Sequence, residues 1–247
     1  MIKLRLFALL LAVVPALGLA AGGGPLEHAG TDLNDRASLQ RGAGLFMNYC
    51  SGCHALSLHR YSRIASDLEL DPAVVEANLI QGDAKIGENI NTGISAGDGN
   101  AWFGKAPPDL TLVARARASE FGSGADWLYT YLRQFYRDPA RPTGWNNVIF
   151  ANVGMPHVFW QLQGEQVATI TDNADGSKKV ELSLAKPGTL APAEYDKAVA
   201  DLVSFLVWMG EPVAEKRKSI GTVVLIFLAG FFVLAYALKK NYWKDIH

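Results

Sequence analysis

One short segment limits what this 247-residue chain can fold into more than any other. Residues 49–55 read YCSGCHA, and Cys50 and Cys53 within it are the only two cysteines of the chain. His54 follows directly, so two thiols and an imidazole lie within one turn of chain. Three kinds of site use such a group at this spacing: a dithiol that forms a disulfide, part of a zinc site, and a point of covalent haem attachment. The fold must bring these three side chains to one place.

The rest of the sequence favours haem attachment. A structural zinc ion needs four ligands, and the sequence has no second pair of cysteine or histidine residues at ligand spacing. A disulfide is the usual function of two cysteines in an exported protein, but it leaves the adjacent histidine without a role. In haem attachment, Cys50 and Cys53 add to the two vinyl groups of the porphyrin, and His54 directs its ring at the iron. The sequence therefore predicts one covalent haem c, with the dithiol and zinc sites as alternatives.

Two amphipathic helices are predicted around this motif. The first begins at an N-cap at Asp35 or the residue before it and continues into Cys50, with apolar residues at helical spacing. The second is predicted over Pro192–Gly210, with a proline in its first turn. Gly42 and Phe46, eight and four residues before Cys50, resemble the pattern of small c-type cytochromes. In that pattern the glycine lets a second helix cross the first closely.

The two ends of the chain predict export and membrane anchoring. Residues 1–20 begin with basic residues, continue with an apolar stretch and end with small residues, which is typical of a cleaved signal peptide rather than an uncleaved anchor. Residues 219–238 carry no charge, and a helix of that length covers ~30 Å, the thickness of the hydrocarbon core. Because the signal peptide directs export, residues 21–218 are predicted to be periplasmic and residues 239–247 cytoplasmic. The chain should therefore cross the inner (cytoplasmic) membrane once.

The exported segment is acidic, although the whole chain is nearly neutral, with 23 lysines and arginines against 24 aspartates and glutamates. Much of the basic charge lies beside the predicted membrane helix. A negative domain argues against nucleic acid as a partner and suits a basic protein that is attracted over a distance.

The iron needs a second axial ligand if it only transfers electrons, and a methionine there raises the reduction potential. On the residues alone, the best candidates are Met155 and His157, because Gly154 and Pro156 keep their segment out of a helix. Three other side chains are less suitable by their positions: Met47, His59 and Met209. An iron with an open position, as in a haem sensor or a peroxidase, is a further possibility.

Several segments, taken in order, resemble the cytochrome c1 family of bacterial type. Besides the haem motif, they are APPDLTLVARARA at 106–118, GMP at 154–156, FLVWMGEP at 205–212 and the basic EKRKSIG at 215–221. The last of these leads into the C-terminal apolar helix. The resemblance extends over nearly the whole mature chain. It implies a mainly α fold, in which a c-type cytochrome domain carries loop and β-hairpin insertions and one C-terminal transmembrane helix follows.

The resemblance also implies roles for particular residues. In this family the methionine of the MP loop is the second axial ligand, which implies Met155 opposite His54. Arg117 is implied to pair with a haem propionate, and Trp127 to line the haem pocket; a solvated arginine and ordinary core packing are the alternatives. Pro107 and Pro108 leave their carbonyl groups free, and one of these, with Pro108 as the named candidate, is expected to accept a hydrogen bond from Nδ1–H of His54.

The implied function is electron transfer. A member of this family is expected to accept one electron from a Rieske iron–sulfur protein and pass it to a soluble or tethered cytochrome c. It would do so within a proton-translocating quinol:cytochrome c reductase that also contains a cytochrome b subunit, in contact with membrane lipid. The isolated chain would be an electron carrier, and the enzymatic activity would belong to the complex. The alternative is a membrane-anchored cytochrome that donates to a terminal oxidase.

Two segments between these landmarks carry weaker patterns. Residues 83–105 are rich in glycine and asparagine with little periodicity, so a long ordered loop is predicted there. Residues 166–185 alternate apolar and polar residues, which predicts a β-hairpin inserted into the cytochrome core. No function is assigned to this hairpin.

Overall fold

A computed structural model describes residues 26–173 and 178–245. The predicted signal peptide, residues 1–20, lies outside the described residues. The helices and strands follow in chain order: α1 (Arg36–Tyr49), β1 (Leu56–Arg60), α2 (Tyr61–Asp67), α3 (Pro72–Asn78), β2 (Asn89–Ile90), α4 (Ala96–Phe103), α5 (Val113–Ala116), α6 (Gly124–Arg133), β3 (Phe135–Arg137), β4 (Trp145–Asn147), α7 (Trp160–Gln163), β5 (Gly164–Asp172), β6 (Lys178–Pro187), α8 (Pro192–Gly210) and α9 (Ala214–Tyr242).

Helix α1 begins where the sequence predicted, because the carboxylate of Asp35 caps it. That carboxylate accepts a hydrogen bond from the backbone N–H of Ser38 at 2.9 Å. The apolar face of the helix, which includes Leu39 and Phe46, is buried in the core. The helix ends at Cys50, so the haem-type motif begins at its C-terminus.

Helix α8 has the predicted bounds. Pro192 occupies its first turn, and Glu194 accepts a hydrogen bond from the backbone N–H of Ala191 at 2.9 Å. Its apolar face, which includes Tyr195 and Leu202, is buried.

Helices α1 and α8 cross closely at Gly42. A Cβ atom at that position would lie 2.2 Å from the carbonyl oxygen of Asp201 and 2.6 Å from Cβ of Phe205, so only glycine fits. The rings of Phe46 and Phe205 pack beside this contact, with centroids 6.1 Å apart. The close crossing predicted from Gly42 is therefore present, and it fixes the end of α1 against the core.

The strands of the described residues form three antiparallel pairs, β1–β2, β3–β4 and β5–β6. The pair β5–β6 is the hairpin predicted over residues 166–185, with Ile170 opposite Val180. Residues 174–177, which connect the two strands, lie outside the described residues.

The β5–β6 hairpin is fastened to the core through β3. The side-chain amide of Gln166 donates to the carbonyl oxygens of Arg133 at 2.9 Å and Phe135 at 2.8 Å. Arg137 also donates from Nε to a carboxylate oxygen of Glu165 at 3.0 Å. The insertion is thus attached to the segment that follows α6.

The prediction of a loop throughout residues 83–105 was wrong, because this segment contains β2 and α4. Ser95 caps the start of α4, because its hydroxyl oxygen accepts a hydrogen bond from the backbone N–H of Asp98 at 3.1 Å. Gly104 ends the helix with a φ of +74°. Inside the helix, Gly99 packs so closely that a Cβ atom there would lie 2.7 Å from Cδ of Pro107. Caps and contact with the proline segment define this helix, and neither produces an apolar periodicity in the sequence.

Helix α9 has 29 residues and is long and apolar enough to cross a membrane. Its large apolar side chains are exposed, and the predicted span, residues 219–238, lies within it. The predicted fold class is confirmed: a mainly α domain with small hairpins is followed by one C-terminal apolar helix.

Candidate haem site

The CSGCH motif forms a turn at the end of α1. The backbone N–H groups of Cys53 and His54 both donate to the carbonyl oxygen of Cys50, at 3.0 and 2.8 Å. Both thiols are free, with Cys50 buried and Cys53 half-buried. Burial, together with the nearby Cys53, raises the pKa of the Cys50 thiol to about 12. Reactive dithiol sites keep their attacking thiol partly exposed, whereas Cys50 is buried, so its position does not favour the dithiol alternative.

The imidazole of His54 is oriented by a backbone carbonyl. Its Nδ1 atom lies 2.7 Å from the carbonyl oxygen of Pro108. Because a carbonyl oxygen only accepts, Nδ1 carries the proton and Nε2 keeps its lone pair for another partner. Burial lowers the pKa of His54 more than the Pro108 contact and the charge of Asp109 raise it, so the ring is neutral at pH 7. A neutral imidazole with one free nitrogen is the form that binds a metal.

The segment that presents the Pro108 carbonyl group is itself held in place. The carboxylate of Asp109 accepts hydrogen bonds from the backbone N–H groups of Ser57 at 2.7 Å and Thr111 at 2.8 Å. Burial by itself would raise the pKa of Asp109, but the hydrogen bonds from Thr111 and Ser57 lower it, so the carboxylate stays charged. His54 is therefore oriented by a chain segment 54 positions away.

Of the two candidates for a second ligand, Met155 has the more accessible side chain. Met155 is half-buried, and its Sδ atom lies 3.4 Å from the hydroxyl oxygen of Tyr131. His157 is buried between two aromatic rings, stacked on Phe135 at a centroid distance of 4.9 Å and edge-on to Trp145 at 5.0 Å. His157 thus packs into the core behind the loop that presents Met155.

Arg117 and Trp127 lie close to Tyr131, the residue that contacts Met155. The guanidinium carbon of Arg117 lies 4.3 Å from the ring centroid of Trp127 and 5.3 Å from that of Phe150. Trp127 in turn stacks on Tyr131, with centroids 4.8 Å apart and planes 12° from parallel. The structure therefore brings three site residues that were predicted from separate segments, Arg117, Trp127 and Met155, into one cluster around Tyr131.

The three less suitable ligand candidates have other contacts. Nε2 of His59 lies 2.7 Å from the carbonyl oxygen of Met209, and its ring stacks on Trp208. The side chains of Met47 and Met209 are each 1% exposed and belong to the core.

Three residues of this cluster have no counterpart in the predictions. Tyr131 lies four residues after Trp127 in α6, so helical spacing places it on the same face, and this was the available indication. Asn147 is the last residue of β4 and Phe150 follows the strand, and neither has such an indication. Asn147 connects the two segments, because its amide donates to the carbonyl oxygen of Tyr131 at 2.8 Å and its oxygen accepts the N–H of Phe150 at 3.2 Å.

These donor groups fit a haem better than a simple metal ion. Within residues 26–173 and 178–245, no group of three or more His, Cys, Asp or Glu side chains is close enough to hold a metal, so the zinc alternative has no support. A porphyrin brings its own four nitrogen ligands and needs two thiols and one or two axial donors from the protein. The motif supplies two free thiols and an imidazole nitrogen, and Met155 adds a half-buried thioether.

The chain is similar to known proteins over nearly its whole length. The model of the Cytochrome C1 family matches residues 28–246. A cytochrome c1 of Allochromatium vinosum is 48% identical over 98% of this chain and 98% of its own. A protein of Nitrosomonas europaea named ammonia monooxygenase gamma subunit is 44% identical over 100% of this chain and 99% of its own. A cytochrome c1 of Rhodospirillum rubrum is 26% identical over 86% of this chain and 83% of its own.

The match spans almost the whole chain at high identity, so the predicted family is confirmed. Cytochrome c1 is a membrane-anchored electron-transfer subunit of the cytochrome bc1 oxidoreductase complex, and it carries one covalent c-type haem. The chain belongs to the cytochrome c1 family.

Proposed function

We propose that Cys50 and Cys53 form the thioether bonds to the haem and that His54 and Met155 are its axial ligands. The observation that carries the assignment of His54 is the 2.7 Å contact of its Nδ1 with the Pro108 carbonyl oxygen. It leaves Nε2 as the free nitrogen of a neutral ring at the very turn that holds both thiols. Metal-binding histidines usually donate their other ring N–H to a carbonyl or carboxylate group in this way.

When bound, the haem supplies the one-electron Fe(III)/Fe(II) couple. Met155 favours the reduced state, because a thioether donates less electron density than an imidazole. Trp127 lines the pocket and excludes water, and Arg117 offers a cation to a propionate. The faces of Trp127 and Phe150 already hold the Arg117 guanidinium group, so little side-chain freedom is lost when it pairs.

The chain accepts an electron from a Rieske iron–sulfur protein and passes it to a cytochrome c, beside a cytochrome b subunit. Residues 1–20 are its signal peptide, residues 21–218 lie in the periplasm, and residues 219–238 cross the inner membrane ahead of a cytoplasmic tail, residues 239–247. Two features support this arrangement: the acidic exported segment, which suits a basic acceptor, and α9, which keeps the site at a high local concentration near its donor.

The ligand assignment is tested with two methionine variants of the purified full chain. Met155→Leu should lower the reduction potential strongly and let carbon monoxide bind rapidly to the reduced protein, because one axial position opens. Met209→Leu changes a buried core methionine by the same substitution and should do neither. An unchanged potential in Met155→Leu would show that another residue is the ligand. A pyridine haemochrome assay on both should give one covalent haem per chain.

The partners are tested by purifying the chain from its native membrane. Recovery of a cytochrome b and an iron–sulfur subunit supports the proposed complex. Recovery of a terminal oxidase supports the alternative of a dedicated oxidase donor. One similar protein carries the name of a monooxygenase subunit, so recovery of a monooxygenase would also contradict the proposed partners.

A further inference from the structure

The hydroxyl group of Tyr131 points at the sulfur of Met155. The two atoms are 3.4 Å apart, within reach of an O–H···S hydrogen bond, and the thioether has no hydrogen, so the tyrosine must be the donor. Among the described residues, Met155 is the one hydrogen-bond partner of this hydroxyl group. A thioether sulfur has two lone pairs, so it can accept this bond and still bind a metal through the other pair.

The ring that carries this hydroxyl group is held rigidly. Tyr131 is 8% exposed; it stacks on Trp127 and meets the rings of Phe135 and Phe150 edge-on, at 5.1 and 6.3 Å. Its backbone carbonyl group accepts from the amide of Asn147. Because the ring is fixed before any ligand binds, the hydroxyl group makes its contact with little loss of conformational entropy.

We propose that Tyr131 is a positioning residue that sets the reduction potential through the Met155 sulfur. This inference rests on the proposed function, in which Met155 is the axial ligand. The O–H group directs its positive end at the sulfur and withdraws electron density from it. The oxidised iron depends more on that density than the reduced iron does, since it carries one more positive charge. The hydrogen bond therefore favours the reduced state, which is one of the means by which a protein tunes a haem.

The direct test is Tyr131→Phe in the purified full chain with its haem. This variant removes one oxygen atom and keeps the ring that packs on Trp127. At a fixed external potential, the ratio of reduced to oxidised protein should fall about three- to tenfold, which is ~30–60 mV at 59 mV per tenfold for one electron. The far-red absorption band of methionine-ligated ferric haem should remain, because Met155 stays bound.

Tyr195→Phe is the matched control. The hydroxyl group of Tyr195 is also buried, but it donates to the carbonyl oxygen of Leu132 at 2.8 Å. Its removal should leave the potential unchanged. If Tyr131→Phe changes the potential no more than Tyr195→Phe does, the proposal is wrong.

A second variant should change the reduction potential in the opposite direction. 3-Fluorotyrosine at position 131 has a more acidic hydroxyl group and donates more strongly, so the potential should rise above that of the unmodified protein. A fall or no change would overturn the proposal even if the phenylalanine variant failed to fold. Failure of the ligand assignment is distinguishable: Met155→Leu would then keep its potential and its resistance to carbon monoxide.

Discussion

At the scale of single residues, Asp201 carries much of the polar contact between α1 and α8. Its carboxylate accepts from Ser38 Oγ at 2.6 Å and from Arg41 Nε at 2.6 Å, and Lys197 approaches within 3.4 Å. The Asp201 side chain is 8% exposed, so solvent does not replace a lost partner. This residue therefore ties together two helices that are 160 positions apart in the chain.

Asp201→Asn should lower the free energy of unfolding at pH 7 by about 1–3 kcal/mol, because it weakens buried, charge-assisted hydrogen bonds. Denaturant unfolding of the full chain in detergent, followed by circular dichroism, measures the loss. Asp67→Asn is the control, since Asp67 pairs with Arg63 at the surface of a single helix, and it should cost about 0.5 kcal/mol or less. Equal losses in the two variants would contradict this role of Asp201.

The stabilisation by Asp201 should depend on pH. Burial would raise the pKa of Asp201, but the hydrogen bonds from Arg41 and Ser38 and the charges of Arg41 and Lys197 lower it below its ordinary value of 3.8. A carboxyl group with a lowered pKa stabilises the fold above its unfolded pKa and loses that effect as the pH falls through the folded pKa. The difference in the free energy of unfolding between wild type and Asp201→Asn should therefore be constant from pH 7 to about 5. It should shrink below pH 3.8. A difference in the free energy of unfolding that grows on acidification would contradict this role of the charged Asp201 carboxylate.

At the scale of elements, the crossing of α1 and α8 depends on the missing side chain at Gly42. Gly42→Ala places a Cβ atom 2.2 Å from the carbonyl oxygen of Asp201, which forces the helices apart. Overpacking of this kind costs about 1–3 kcal/mol or more. Thermal or denaturant unfolding of the full chain measures the loss.

Gly44→Ala is the matched control in the same helix. A Cβ atom at Gly44 meets nothing within 4 Å, so the higher helix propensity of alanine should stabilise the chain by up to about 1 kcal/mol. Gly42→Ala should therefore lower the free energy of unfolding, and Gly44→Ala should raise it. Equal effects would mean that the close crossing does not limit stability.

At the scale of the whole molecule, Glu211 joins the haem domain to the anchor helix. Its carboxylate pairs with Arg217 in α9, with Nε to oxygen at 2.5 Å, and with Arg115 in α5. The hydrogen bonds from Arg217 and Arg115 lower the pKa of Glu211 to about 2. The carboxylate is therefore charged at any physiological pH, and the pairing is lost only as the pH falls through about 2.

Glu211→Gln should loosen this junction without changing the fold of the domain. The basic segment 216–218 offers trypsin sites beside the junction, and its cleavage in the full chain should become severalfold faster, since cleavage needs local opening. Glu215→Gln is the control, because Glu215 pairs with Lys218 inside α9 only. If the two variants are cleaved at the same rate, Glu211 does not hold the junction.

Much of the fold was predictable because the relevant interactions are local. The cap at Asp35, the bounds of α8 and the pairing of β5 with β6 all follow from periodicities and end residues within one element. Helix α4 was missed because its caps at Ser95 and Gly104 enclose a segment without apolar periodicity. Its packing on Pro107 is a tertiary contact that no local pattern reports.

Two features that define the chemistry of this protein are visible in the amino-acid order: two thiols and an imidazole within one turn, and an uncharged stretch long enough to cross a membrane. Both are properties of neighbouring residues, so they exist before the chain folds. The carbonyl group of Pro108 was expected to meet His54, and the packed structure brings the two together; the contact of the Tyr131 hydroxyl group with Met155 had no indication in the sequence. Those partners lie 54 and 24 positions apart, and the packing of whole segments, not the spacing of residues, brings them within hydrogen-bonding distance.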